Sequence, residues 1–149
     1  MSERAFPDRA LDDEEYGELL AFRTALRRFL HWSDEQARRA GLTAQQHQLL
    51  LAIRGHAGGA QNGAEPTIGD IAESLLLRHH SAVELVDRAE QAGLVHRSVD
   101  DVDRRVVRLS LTAKGQRVLH KLSAAHLDEL QRLAPTVARL ARGLEERTA

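Results

Sequence analysis

From Leu19 onward, apolar residues return every three or four positions: Leu19, Phe22, Leu26, Phe29, Leu30, then the small Ser33. That spacing is one face of a long helix. Asp12 followed by Glu15 opens it as a capping box, and Gly41 stands just past its end. Residues 1–11 lack periodicity and read as a loose arm. Thr43 with Gln46 repeats the capping box for a second helix, which carries Leu49, Leu50 and Ile53 and should end near Gly55. Four glycines, an Asn and a Pro over Gly55–Pro66 mark a flexible loop.

Thr67 can cap a short helix that turns Ile68, Ile71, Ala72 and Leu75 inward. A further helix runs from about His79 to Ala92, with Ala82, Leu85, Val86 and Ala89 on its inner face and Gly93 as its stop. Two helices only about three residues apart should cross steeply, the helix-turn-helix pattern. Leu94–Val99 is then a short extended run. Val107, Leu109 and Leu111 alternate with Arg108 and Ser110, the period of a half-buried strand. The polar "DDVDRR" between these runs predicts a β-hairpin with a solvent-exposed tip. Thr112 can cap a last long helix whose stripe includes Val118, Leu119, Leu122, Ala125, His126, Leu130 and Leu133. Pro135 should kink or restart it, leaving Val137, Leu140, Ala141 and Leu144 on a short final helix.

The fold class is therefore mainly α with a small β-hairpin. The central part can form a compact core. The helices at both ends carry apolar stripes that this core cannot cover, which points to a partner. A second copy is the economical one, since two-fold dimers are the commonest oligomers. Two-fold dimers of helix-turn-helix units bind duplex DNA with their reading helices about 34–36 Å apart.

Composition narrows the chemistry. At 149 residues with 42% hydrophobic and 29% charged positions, the chain suits one soluble domain. Aromatics are 3%, so the core must be aliphatic. There are no cysteines, which excludes disulfides, thiolate metal sites and thiol redox sensing. No apolar run approaches a membrane span, and the N-terminus has no signal-like apolar region, so the expectation is a cytoplasmic protein. Net charge is −1, so any affinity for nucleic acid must come from local charge. One such stretch exists: Arg104, Arg105, Arg108, Lys114, Arg117 and Lys121 follow one another with no acid between. Asp100, Asp101 and Asp103 offset it upstream, so DNA affinity should be moderate and fall with salt.

Three blocks, "AGLTAQQHQLLLAI", "TIGDIAESLLLRHHSAVELVDRAEQAGLVHR" and "DDVDRRVVRLSLTAKG", resemble the successive parts of a MarR-type winged helix-turn-helix transcriptional regulator. The resemblance spans roughly residues 12–140. It implies a single MarR-like domain over 1–149, with dimerisation helices at 12–40 and 116–149 and a winged helix-turn-helix DNA-binding lobe at 43–115. The hairpin would be the wing, with an arginine entering the minor groove from its tip, where a narrow groove concentrates negative potential. The motif's acid and arginine fall on Asp103 and Arg105, and the adjacent Arg104 is the other candidate. The helix from His79 would enter the major groove, offering Arg78, His79, His80, Ser81 and Glu84, with Arg88 a turn further on. Thr67 would contact a backbone phosphate or serve only as a cap. Two departures stand out. His79-His80 replaces the hydroxyl residues common there, and Glu84 stands where a basic residue is frequent, so it reads a cytosine or pairs with Arg88.

Other chemistries have little support. No two of the eight histidines have ligand spacing along a helix, so no metal and no cofactor are expected. A site assembled from distant segments or two subunits stays open. "HHS" lacks the strained turn, separate base and oxyanion hole of a nucleophilic serine, so the protein is read as no enzyme. Tyr16, His31 and Trp32 invite a small-molecule site for a planar, anionic effector, set against plain packing. The reading is a homodimeric repressor that binds a pseudo-palindromic operator and is released by a ligand. The alternative is a winged-helix dimer that acts through protein contacts or binds DNA without an effector.

Overall fold

A computed structural model describes residues 8–59 and 65–148. The element order is α1 (Asp13–Arg39), α2 (Ala44–Gly59), α3 (Ile68–Ser74), α4 (His79–Gln91), β1 (Val95–Val99), β2 (Val107–Leu111) and α5 (Ala113–Thr148). The capping boxes form as their sequences predict. Asp12 and Glu15 exchange bonds of 2.9 and 2.8 Å, and Thr43 and Gln46 exchange bonds of 3.0 and 3.1 Å. Each satisfies two amide donors that the helix start leaves free.

The chain divides into two compact units, one made of residues up to Trp32 and from Leu130 onward, the other of Ser33–Glu129. The division falls inside α1 and α5 rather than at their ends. The last turns of α1 and the first half of α5 thus belong with the helix-turn-helix and hairpin. Every buried hydrophobic residue among the described residues lies between Ala37 and Leu122. Leu49, Leu50 and Ile53 of α2 meet Ile71 of α3, Leu85, Val86 and Ala89 of α4, Leu94, Val95, Leu109, and Leu119 and Leu122 of α5. The α3 and α4 faces are those that the three- and four-residue spacing marks as inward.

α3 and α4 are joined by Leu75–Arg78. Leu76 takes a left-handed conformation at φ 55°, and Leu77 N–H closes the helix end on Ala72 O at 2.8 Å. A left-handed leucine costs about 1 kcal/mol, and here its side chain is 92% exposed. α4 ends in the same way at Gly93, φ 74°, where Leu94 N–H reaches Ala89 O at 2.9 Å. Glycine occupies that conformation without penalty.

β1 and β2 pair antiparallel from Val95↔Leu111 to Val99↔Val107. The hairpin has a third contact that sequence periodicity did not reveal. Leu109 N–H donates to Pro66 O at 2.9 Å, and Thr67 bridges Arg108. The chain entering α3 thereby lies along the wing strand.

At the hairpin's base, Thr112 joins three elements. Its N–H donates to Leu94 O at 3.0 Å, its hydroxyl donates to Gly93 O at 2.6 Å, and the same oxygen accepts from Gly115 N–H at 3.0 Å. Lys114 Nζ donates to Ala92 O at 2.9 Å. The backbones approach so closely that a Cβ on Gly115 would lie 2.2 Å from Leu94 O.

Two expectations are corrected. α2 continues to Gly59 rather than stopping near Gly55; of the glycine-rich loop, residues 60–64 lie outside the described residues. Pro135 neither breaks nor restarts the last helix, and α5 is one element of 36 residues. Proline removes one ladder bond and crowds the preceding turn, and the helix absorbs this.

Gly115→Ala should destabilise the fold by about 3 kcal/mol. The helix propensity gained is only about 1 kcal/mol, while the new methyl must displace backbone on both sides, an overpacking with no flexible side chain to yield. A urea titration checks this: a midpoint unchanged or raised in the variant refutes the close approach.

Candidate nucleic-acid interface

The hairpin tip is built from aspartates that serve as turn-makers. Asp100 Oδ1 accepts from Val102 N–H at 2.8 Å and Asp103 N–H at 3.0 Å, and its Oδ2 accepts from Arg108 Nε at 2.9 Å. The Asp103 amide, then the Arg108 guanidinium and the Val102 amide, hold its carboxyl down to about 2. It is therefore a fixed anion cancelled in place. Arg108 also donates through Nη1 to Glu65 O at 2.9 Å, tying the tip to the chain before α3. Arg108 and Lys114 belong to the basic stretch of the sequence, but both cations are spent inside the lobe.

Asp103 does the same for Arg105. Its Oδ1 accepts from the Arg105 N–H and Nε, both at 3.1 Å, and its Oδ2 from Nη2 at 3.1 Å. The Arg105 guanidinium, then its amide, lowers the Asp103 carboxyl below the usual range, and Asp103 in turn raises Arg105. Yet the Arg105 side chain is 90% exposed. The result is a permanent cation, fixed by a two-pronged grip and aimed at solvent. Arg104 is exposed and makes no hydrogen bond or ion pair among the described residues. The tip thus separates two arginines that the sequence left equivalent, one held and one free.

α4 begins at Arg78, whose side chain makes no cap bond. Arg78, His79, His80, Glu84 and Arg88 are all exposed, and Ser81 is half-buried. Glu84 and Arg88 form no ion pair among the described residues, so the pairing that their spacing allows is not made. Thr67 acts as a cap: its hydroxyl oxygen accepts from Asp70 N–H at 3.1 Å, and its own N–H donates to Asp70 at 2.9 Å. The Asp70 carboxylate therefore sits at the start of α3, where a phosphate would otherwise be drawn.

The residues considered for a small ligand are not brought together. Tyr16 is exposed and lies sixteen positions before Trp32 on α1, about 24 Å along a helix. Trp32 is half-buried with its ring centroid 6.0 Å from that of Phe29, and His31 is exposed.

A histidine pair was missed from sequence. His47 of α2 is 6% exposed, and its ring centroid lies 4.7 Å from that of His126 on α5. His126 Nε2 is 2.7 Å from Ser33 Oγ, and its Nδ1 is 2.6 Å from Leu122 O. Burial first, then the neighbouring His126, pushes the His47 imidazole below its ordinary value, with Asp34 opposing. Seventy-nine residues separate the two rings, so no local spacing announces them. Ser33 lies within α1, where backbone amides are committed to the helix, so the serine–histidine contact has no oxyanion donors beside it.

Among the described residues no helix is long and apolar enough to cross a membrane, and no three metal-binding side chains cluster.

Residues 40–106 match the sequence profile of the MarR family. An uncharacterized HTH-type transcriptional regulator of Bacillus subtilis, YsmB, is 36% identical over 56 residues, which are 38% of this chain and 38% of that protein. The chain thus matches well under half the length of that relative. The Staphylococcus aureus MepR–DNA complex superposes with a TM-score of 0.65 at 20% identity, covering 85% of this chain and 92% of that one. AbsC, a MarR family transcriptional regulator from Streptomyces coelicolor, gives 0.65 at 20% identity, covering 93% and 99%. At such identities the solved structures establish the shared fold.

The buried His47 makes stability depend on pH in a definite direction. Its folded value lies below the unfolded one, so the unfolded chain binds more protons as pH drops through the ordinary histidine range. Stability is full above that range and falls as pH goes from about 7.5 to about 5.5. His47→Gln should flatten the melting temperature over that interval relative to the wild-type chain. Parallel curves for the two proteins contradict the assignment.

Proposed function

We propose, from the match of residues 40–106 to the MarR family profile, that the chain is a MarR-type transcriptional regulator, a homodimer that binds a pseudo-palindromic DNA operator. The observation that carries the reading is the Asp103–Arg105 grip: a fully charged arginine held still at the tip of an exposed hairpin. Ordering such a side chain in advance removes the rotamer entropy that a flexible arginine loses on binding. Arg105 enters the minor groove, Asp103 orients it, and Arg104 meets the adjacent phosphates.

α4 lies in the major groove. Arg78, His79, His80 and Ser81 present its uncapped first turn to phosphates and base edges, with Glu84 and Arg88 further along the exposed face. The Thr67 hydroxyl, although it accepts the cap bond, still has a proton to donate to a phosphate. MepR has been seen bound to DNA in the same fold, which supports this placement by analogy.

The dimer reading rests on uncovered apolar surface. Leu19, Phe22, Leu26 and Leu30 of α1 are 50, 42, 47 and 55% exposed, and Leu130, Val137 and Leu144 of α5 are 47, 44 and 53% exposed. α1 and α5 flank two apolar grooves of about 310 and 290 Å³ within the terminal unit. A symmetric partner covers such stripes with copies of themselves. The protein acts in the cytoplasm as a repressor. A small effector, bound where His31 and Trp32 lie, releases it by favouring a dimer whose α4 helices no longer match the groove spacing.

Arg105→Ala should weaken binding to the protein's own upstream DNA at least about tenfold. Arg104→Ala should lower the salt slope by about one phosphate contact. Gel-shift titrations at several salt concentrations measure both, and two variants indistinguishable from wild type in affinity and slope overturn the wing assignment. Sedimentation should find a dimer for the wild-type chain and a folded monomer for Leu26→Asp. A wild-type monomer at working concentration refutes the assembly.

A further inference from the structure

We propose that Arg97 of the wing strand acts on DNA binding through α4, cancelling charge on two of that helix's carboxylates as DNA approaches. The inference rests on the DNA-binding reading and adds to it a residue outside the DNA-contacting set.

Arg97 sits in the middle of β1, opposite Leu109. Its guanidinium reaches back across ten residues to α4. Nη2 donates to Asp87 Oδ1, and Nη1 lies 3.9 Å from Glu90 Oε1. Asp87 and Glu90 are three positions apart and so share a helix face, which lets one guanidinium serve both. The Arg97 side chain is 30% exposed, while the two carboxylates are 46 and 44% exposed.

Stability alone does not account for this arrangement. A partly exposed ion pair contributes little. Arg97 Nε is buried without a hydrogen-bond partner among the described residues, and an unsatisfied buried donor subtracts from stability. What the contact supplies is charge. Within its span α4 carries Glu84, Asp87 and Glu90 against Arg88 alone, a formal −2 on the element meant to approach phosphates. Arg78 at its cap and Arg97 from the strand bring the sum to zero. Duplex DNA presents one negative charge per about 1.7 Å of axis, so two uncompensated carboxylates on this helix would oppose docking.

The test uses the full chain and a labelled mixed-sequence duplex about three helical turns long, in dilute salt. Arg97→Met should weaken binding about fivefold per reading helix, the order expected when two carboxylates about 10 Å from phosphates lose their counter-charge. Arg97→Lys should stay within about twofold of wild type, because an ammonium still answers both carboxylates. Adding Asp87→Asn and Glu90→Gln to Arg97→Met removes two acids for one cation, so it should restore binding to the wild-type level or tighter, with a salt slope altered by less than about 0.9. If Arg97→Met does not fold, Asp87→Asn with Glu90→Gln alone answers: freeing Arg97 of both acids should tighten binding by about twofold or more. Unchanged binding in Arg97→Met, or in that double variant, overturns the proposal. So does a triple variant that stays weak with its slope lower by about 0.9, which marks Arg97 as a direct phosphate contact. Those results require a wild-type chain that binds; a wild type that retains no duplex removes the DNA-binding reading and this inference with it.

Discussion

Thr112 and the backbone it touches hold the lobe together. Its amide, hydroxyl proton and hydroxyl oxygen reach Leu94, Gly93 and Gly115, so the end of α4, the start of β1 and the start of α5 meet at one residue. The contact requires α5 to begin without a side chain at Gly115, because Leu94 O occupies the space where a Cβ would stand. It also requires α4 to end on the left-handed Gly93, which turns the chain sharply enough to lie beside its own helix. From this seam β1 and β2 run outward in fixed register. The position of the tip relative to α4 is therefore set at the hairpin's base, a strand's length from where a ligand would meet it.

At the tip, a chain of nearly neutral charge exposes one ordered cation. Asp100 is consumed by two backbone amides and Arg108, and Asp103 by Arg105. Neither acid remains as a free repulsive charge, although both lower the formal charge of the segment. The alternation of acid and base in "DDVDRR" is thus a folded turn whose internal pairs leave Arg105 ordered and Arg104 unengaged. Arg97 extends the same logic to α4. Formal charge counted along the sequence misjudges such a surface, because it cannot distinguish a carboxylate that has a partner from one that faces solvent.

What the sequence made legible was local. Capping boxes at Asp12 and Thr43, the cap at Thr67, the stop at Gly93, and the inward faces of α3 and α4 each depend on residues within about one turn of each other, and each formed as read. The second strand followed from alternation over five positions, and the first from a short extended run before the polar turn. What stayed hidden involved partners far apart in the chain. Arg108 with Glu65 and Asp100, Pro66 with Leu109, and His47 with His126 leave no periodic trace. Arg108 looked like a surface cation because nothing nearby in sequence shows that Glu65 O lies opposite it. Gly115 was noticed as part of a motif, but only the approach of Leu94 O shows why the position excludes a side chain. Of the candidate site residues, Arg104, Arg105, Arg78, His79, His80, Glu84 and Arg88 are exposed, and Ser81 is half-buried. Tyr16 was grouped with His31 and Trp32 by composition, and helix rise separates them.

The terminal helices raise a question of energetics that the helix-turn-helix core does not answer. Among the described residues, all the buried hydrophobic ones belong to the unit of Ser33–Glu129, so α5 beyond Leu130 continues there without a buried anchor. It does so through Pro135, an interior proline that costs a helix about 3 kcal/mol. Propensity alone is a weak support for such a segment, since helices in water draw most of their stability from packing an apolar face. Leu130, Val137 and Leu144 recur at intervals of seven and are each about half exposed, and the two grooves beside them are lined almost wholly by apolar side chains. Each side chain therefore has only part of its burial within one chain. Completing that burial would add stabilisation at roughly 25 cal/mol per Å² of apolar surface removed from water, against the cost of the proline along this stretch. In the proposed dimer a second copy would bring the same stripes at the same spacing and so cover the exposed half of each of these side chains.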